Sequence, residues 1–295
     1  MTVCLAAICV GDDGNPRIVV AADRMVTYPG FIEFEHSVRK ITPTTPHSVT
    51  MVAGDALVGS RLARETAGAI YGSNPPIAQV AQQLAINYES VRNQWAETQI
   101  LTPRGLNFQS YFQGHASLNG HIVQMIDQSL SQYDVQIELL LAGVDGSGAH
   151  LYTVHNPGRM TRQHDTIGFG AVGSGWIHAM QSMIGFRHSP DATFEETMYR
   201  VFASKRRAEV TPGVGVETDM VVISPAGVQF LTEDQLGALD ALNKSIVDES
   251  ANVLETKLIT LKFDLQAPAE PNPTGEQGQD DTGERGADGD DPESG

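Results

Sequence analysis

The chain has 295 residues, 41% of them hydrophobic, and carries 36 acidic against 19 basic side chains for a formal net charge of −17. That charge repels nucleic-acid phosphates and anionic lipid headgroups, and the one basic run, Lys205-Arg206-Arg207, reads as the cationic end of a helix, so neither nucleic acid nor membrane is an expected partner. The apolar stretches from Val3 to Val10 and from Ile137 to Val144 are far shorter than the roughly 20 residues of a membrane span.

Two strands, Thr2 to Val10 and Arg17 to Ala22, are predicted to pair through the turn Gly11-Asp12-Asp13-Gly14-Asn15-Pro16. Cys4 and Cys9 fall on opposite faces of the first strand, which excludes a disulfide between them and reads as buried thiols in a reducing, cytoplasmic setting. A short strand from His47 to Ala53 ends at Gly54-Asp55, where a helix opens and runs to Tyr71 with Leu57, Leu62, Ala67 and Ile70 on its apolar face. Pro75 and Pro76 open a second helix that continues to about Trp95. Residues 99–130, interrupted by Pro103-Arg104-Gly105, read as a partly helical insertion.

A second hairpin is expected from Val135 to Val144 and from His150 to Val154, around Asp145-Gly146-Ser147-Gly148. Thr193 with Glu196 and Thr232 with Gln235 have capping-box spacing, and strands from Met220 to Ile223 and from Val228 to Leu231 lie between those two helix starts. Helices arriving in pairs between blocks of hairpin strands argue for an α+β layered fold. After Leu265 large apolar residues cease and nine acidic residues face a lone Arg285, so one domain over 1–265 and a disordered acidic tail over 266–295 are expected.

The residue of greatest chemical interest is Thr2. A hydroxyl residue at position 2 becomes N-terminal once Met1 is removed, and a free α-amine titrates near pH 8, so it can take the hydroxyl proton of its own residue. On their own, Asp23 and Lys40 also fit a surface ion pair, and Ser174 fits a helix N-cap. Gly168-Phe169-Gly170-Ala171-Val172-Gly173, with Asp191 beyond it, satisfies the dinucleotide-binding pattern, but it follows antiparallel-looking segments rather than a βαβ unit.

Five segments in order carry a resemblance. They are Ile18-Val19-Val20-Ala21-Ala22-Asp23-Arg24-Met25-Val26-Thr27, Val38-Arg39-Lys40-Ile41, Val52-Ala53-Gly54-Asp55, the hairpin from Ile137 to Tyr152, and Gly173-Ser174-Gly175. Together they resemble the β-type subunits of the proteasome family of N-terminal-nucleophile hydrolases, and similarity to the bacterial HslV peptidase is of the same kind. The resemblance implies a four-layer αββα sandwich of two antiparallel sheets between helices. It also implies a homo-oligomeric ring and threonine-type hydrolysis of peptides or unfolded protein without cofactor or metal, with an ATP-dependent unfoldase as a possible partner.

Carried over residue by residue, Thr2 is the nucleophile, Lys40 lowers the proton affinity around it, and Asp23 holds Lys40 charged. Gly54 offers its N–H to the oxyanion, Ser174 relays protons, Thr27 aligns substrate and Val26 shapes the first specificity pocket. Two positions depart from the pattern: Met25 replaces an arginine, and Ala208 to Gly215 lacks the family's serine, leaving Glu209 to stand for its aspartate. The alternatives are a non-catalytic ring or scaffold subunit of the same fold and an amidase for small substrates.

Overall fold

Strand β1 (Cys4–Val10) and strand β2 (Pro16–Asp23) pair antiparallel from Cys4 opposite Ala22 to Val10 opposite Pro16. The apolar run of β1 is unbroken because both of its faces are covered. Cys4, Ala6 and Ile8 enter one core, whereas Leu5, Ala7 and Cys9 enter another, as the two-residue side-chain period of a strand requires. Both thiols are free and buried, and burial pushes Cys4 up to about 12 and Cys9 up to about 11.

The computed structural model describes residues 2–28, 32–36, 39–259 and 261. Met1, Val38 of the basic motif and the acidic tail at 266–295 lie outside the described residues. Two compact units are distinguished, 1–249 and 250–295, with the division inside the last helix.

Among its described residues the first unit is a mixed α/β structure with two five-stranded antiparallel sheets and one two-stranded sheet. The first sheet has the order β10 (Phe169–Val172), β1, β2, β11 (Thr218–Ser224), β12 (Gly227–Phe230). The second has the order β5 (Ile41–Thr45), β6 (Ser48–Gly54), β7 (Ile137–Asp145), β8 (Gly148–Val154), β9 (Thr161–Gln163). Strands β3 (Met25–Tyr28) and β4 (Ile32–Glu35) form the small sheet. One core cluster joins Ile18, Val20 and Val221 of the first sheet to Met51, Leu140 and Ala142 of the second. Helices α1 (Ala56–Ala69) and α2 (Ile77–Ala96) pack on the other side of β6, β7 and β8. Helices α5 (Trp176–Gly185) and α6 (Phe194–Ala208), with Leu236 and Leu239 at the start of α7 (Glu233–Ile259), pack on the other side of β1 and β2.

The buried face of α1 differs from the expected one. Gly59, Leu62, Ala63 and Thr66 are buried and Leu57 is exposed. The choice is steric: a Cβ at Gly59 would overlap the Val52 side chain, so the small residues set the line along which the helix approaches β6. Residues 99–130 are more helical than expected. They contain α3 (Phe108–Gly114) and α4 (Gly120–Gln132), which share a separate small core of Ala96, Ile100, Leu101, Tyr111 and Ile126. Of the dinucleotide-like glycines, Gly170 lies in β10 opposite Ala6 and Gly168 and Gly173 flank that strand, so the pattern straddles an antiparallel strand and is not the turn of a βαβ unit.

Both proline residues before α2 lie outside it, and Pro76 supplies no capping side chain. The Ile77 N–H instead donates to Asp145 Oδ2 at 2.8 Å, placing a carboxylate at the positive end of the helix. Burial works to raise the Asp145 pKa, but hydrogen bonds from the Ser147 hydroxyl, the Ile77 N–H and the Ser147 N–H outweigh it and hold the group at about 2. A folded pKa below the unfolded value of 3.8 contributes stability that is present above pH 4 and lost as the pH falls towards 2. After solvent screening this amounts to about 1 kcal/mol. Urea midpoints of Asp145→Asn are therefore expected to lie below wild type at pH 7 and to converge with it near pH 2.

Candidate active site

Asp23 ends β2 and is fully buried, and its carboxylate accepts five hydrogen bonds from four donor groups. Oδ1 accepts from the Val3 N–H at 2.8 Å and from Lys40 Nζ at 3.0 Å. Oδ2 accepts from Lys40 Nζ at 2.9 Å, the Met25 N–H at 3.0 Å and the Gly215 N–H at 3.1 Å. A buried anion satisfied in this way avoids the heavy cost of an unpaired charge.

Lys40 sits just before β5, and its carbonyl accepts the Val52 N–H at 3.3 Å, which ties it to β6. Its side chain is only 8% exposed. The same ammonium that binds Asp23 donates to Thr2 Oγ1 at 2.5 Å. The pair is therefore not the surface ion pair that sequence spacing also allowed. Its two charges meet under cover, where their attraction is weakly screened.

Thr2 is held from both sides of its backbone. Its N–H donates to Ser174 Oγ at 3.1 Å, while its carbonyl accepts the Gly175 N–H at 3.1 Å and the Ser174 hydroxyl at 3.4 Å. Ser174 is consequently not the cap of α5; that position belongs to Gly175, with no side-chain bond. Gly173 has φ +89°, and a Cβ there would run into the Thr2 carbonyl, so no other residue fits between β10 and this chain end.

Gly54 ends β6 with φ +97°, and a Cβ would overlap the Gln136 carbonyl. It lines, with Thr2, Ser174, Glu138 and His155, a cleft of about 610 Å³. Glu138 was not anticipated: its carboxylate accepts the Gly173 N–H at 2.7 Å. A lone charge inside the apolar run of β7 was the sequence signal for it. Val26 and Thr27 lie on β3, opposite Phe34 and Glu33, on the strand that begins two residues past Asp23.

Glu209 does not join this cluster. Its carboxylate binds Lys205 Nζ at 2.7 Å and Arg206 Nη1 at 3.1 Å, because Glu209 caps the C-terminus of α6 four residues after Lys205 and three after Arg206. Among the described residues no group of three or more His, Cys, Asp or Glu side chains is disposed to hold a metal ion, and no helix is long and apolar enough to cross a membrane.

Over 110 residues the chain is 34% identical to a protein described as proteasome subunit beta 1 from Korarchaeum cryptofilum (strain OPF8). The match covers 36% of this chain, which spans half of that relative's length. No protein-family model matches the chain. The similarity supports a proteasome-like relation.

Proposed function

We propose that the chain is a threonine-type peptidase subunit in which Thr2, once N-terminal, attacks peptide bonds inside a homo-oligomeric ring. The observation that carries this reading is the bridging position of Lys40, whose ammonium meets both the Thr2 hydroxyl oxygen and the Asp23 carboxylate. The freed α-amine takes the hydroxyl proton as Oγ1 attacks the substrate carbonyl, and the adjacent ammonium stabilises the developing negative charge. The Gly54 N–H receives the oxyanion, an interaction worth about 3 kcal/mol in acyl transfer. Ser174, already bonded to the Thr2 nitrogen, carries the proton onward to the leaving amine. An acyl ester on Thr2 results, and water then hydrolyses it.

Thr27 in this reading pairs with the backbone of an extended peptide and Val26 contributes to the first specificity pocket. The two sheets with helices on their outer sides are read as the αββα sandwich, residues 1–265 as its domain, and 99–130 as an insertion within it. A cytoplasmic location and an ATP-dependent unfoldase that feeds the ring complete the proposal. A scaffold subunit would have no need of a cation held against a buried hydroxyl, and a monomeric state in solution would favour a small-substrate amidase instead.

The test is intact mass together with hydrolysis of a fluorogenic peptide by the same preparation. The expected result is a mature chain beginning at Thr2, active and assembled. Hydrolysis by protein that still carries Met1 on every chain would overturn the reading.

A further inference from the structure

Lys205 lies on α6, outside the Thr2 cluster, and its side chain is completely buried. Burial works to strip its proton, lowering its pKa, while Glu209 opposes this. The three donors of the ammonium are all used: Glu209 Oε1 at 2.7 Å, the Gly215 carbonyl at 2.8 Å and the Val216 carbonyl at 2.7 Å. Gly215 in turn donates its N–H to Asp23 Oδ2 at 3.1 Å. A continuous line of polar contacts therefore runs from Glu209 through Lys205 and Gly215 to Asp23, and from there to Lys40 and Thr2.

We propose that Lys205 is a positioning residue for the hydrolytic reaction, gripping the Gly215 and Val216 carbonyls so that the Gly215 N–H holds the Asp23 carboxylate against Lys40. The inference rests on the reading of Thr2 as nucleophile. Pro212 and Gly213 (φ +77°) form a turn closed by the Val214 N–H on the Thr211 carbonyl at 3.1 Å, and this turn ends before Gly215. The placement of Gly215 must come from outside it. The buried cation supplies that geometry at Gly215: releasing it would leave the Gly215 carbonyl without its charged donor, whereas the Val216 carbonyl would keep Arg206 Nη1 at 3.3 Å and the Thr218 hydroxyl at 3.1 Å. Gly215 also has no room to grow, because a Cβ would meet Glu35 Oε1 at 2.7 Å and the Met25 Cβ at 2.9 Å. The role of Glu209 follows: it keeps Lys205 charged and does not itself reach the reacting atoms.

The test compares full-length wild type with Lys205→Met, Lys205→Gln and Glu209→Gln, using kcat, KM and the pH profile for a fluorogenic peptide, with Thr2→Ala run in parallel. Lys205→Met is expected to lose about 10- to 100-fold in kcat, the scale of a small misplacement of catalytic groups, with KM held within about twofold. The acid limb of its kcat profile moves to higher pH, because a displaced Lys40 no longer depresses the proton affinity of the terminal amine. Lys205→Gln, which retains donors for the carbonyls, loses less. A folded Lys205→Met with wild-type kcat and pH profile, beside an inactive Thr2→Ala, would sink this inference alone. Where Lys205→Met does not fold, a folded Glu209→Gln with wild-type kcat and pH profile has the same force. Activity that persists in Thr2→Ala instead removes the underlying peptidase reading.

Discussion

Thr2→Ala is expected to lower kcat for a fluorogenic peptide by about 10⁴-fold or more, leaving fold and assembly intact. The loss is large because in the proposed reaction one atom, Oγ1, does the bond-forming step, and among the described residues no other hydroxyl is hydrogen-bonded to the Lys40 ammonium. The structural cost is small: Lys40 keeps both oxygens of Asp23 as acceptors, and the lost hydrogen bond is worth about 1 kcal/mol. Thr2→Ser keeps the oxygen and its proton and is expected to retain measurable turnover, although the freer χ1 of serine places the oxygen less firmly. Steady-state kinetics on assembled protein of verified mass measures both. Equal activity in Thr2→Ala and wild type would mean that hydrolysis, if present, arises elsewhere.

The second large effect concerns the Asp23–Lys40 pair. Lys40→Met removes a cation whose side chain is 8% exposed from a carboxylate that is fully buried, so the anion keeps its three backbone donors and loses its counter-charge. Breaking a buried pair from one side costs about 3–5 kcal/mol, and activity is expected to fall by about 10³-fold or more because the hydroxyl oxygen loses its electrostatic support. Asp23→Asn introduced into the same variant removes the stranded charge. Stability is then expected to recover in part while activity does not. Urea denaturation beside peptide hydrolysis separates the two roles, and activity returning with stability would reduce the pair to a structural one.

Much of the scaffold was legible because it rests on local patterns. The hairpins around Gly11 to Pro16 and Asp145 to Gly148, and the helix starts at Thr193 and Thr232, follow from turn and capping chemistry within a few residues. The face that α1 buries was misjudged, because hydrophobicity ranks Leu57 above Gly59 and only the approach of Val52 makes the glycine the closer neighbour. Strands β3, β4 and β9 are three or four residues long and carry no strong period, so local pattern does not specify them.

For the site, residue chemistry singled out Thr2, and the resemblance to proteasome β-type subunits added Asp23, Lys40, Gly54 and Ser174. Which of them meet is a matter of long-range pairing: β1 beside both β2 and β10 brings Thr2 to Asp23 and to Ser174, 172 residues away. Glu209 shows the limit of that reading, because a carboxylate in the expected place along the chain found a cation one helical turn back before it could reach the nucleophile. Lys205 shows the converse, since its sequence context spoke only of a helix end, and packing of α6 against β1 and β2 turned it inward. Sequence by itself determined the periodicities, the turns and the inventory of reactive groups, because those depend on neighbours within a few residues. Tertiary structure alone decided which charges are buried together, because burial and pairing are properties of surfaces that exist only after distant strands have closed on one another.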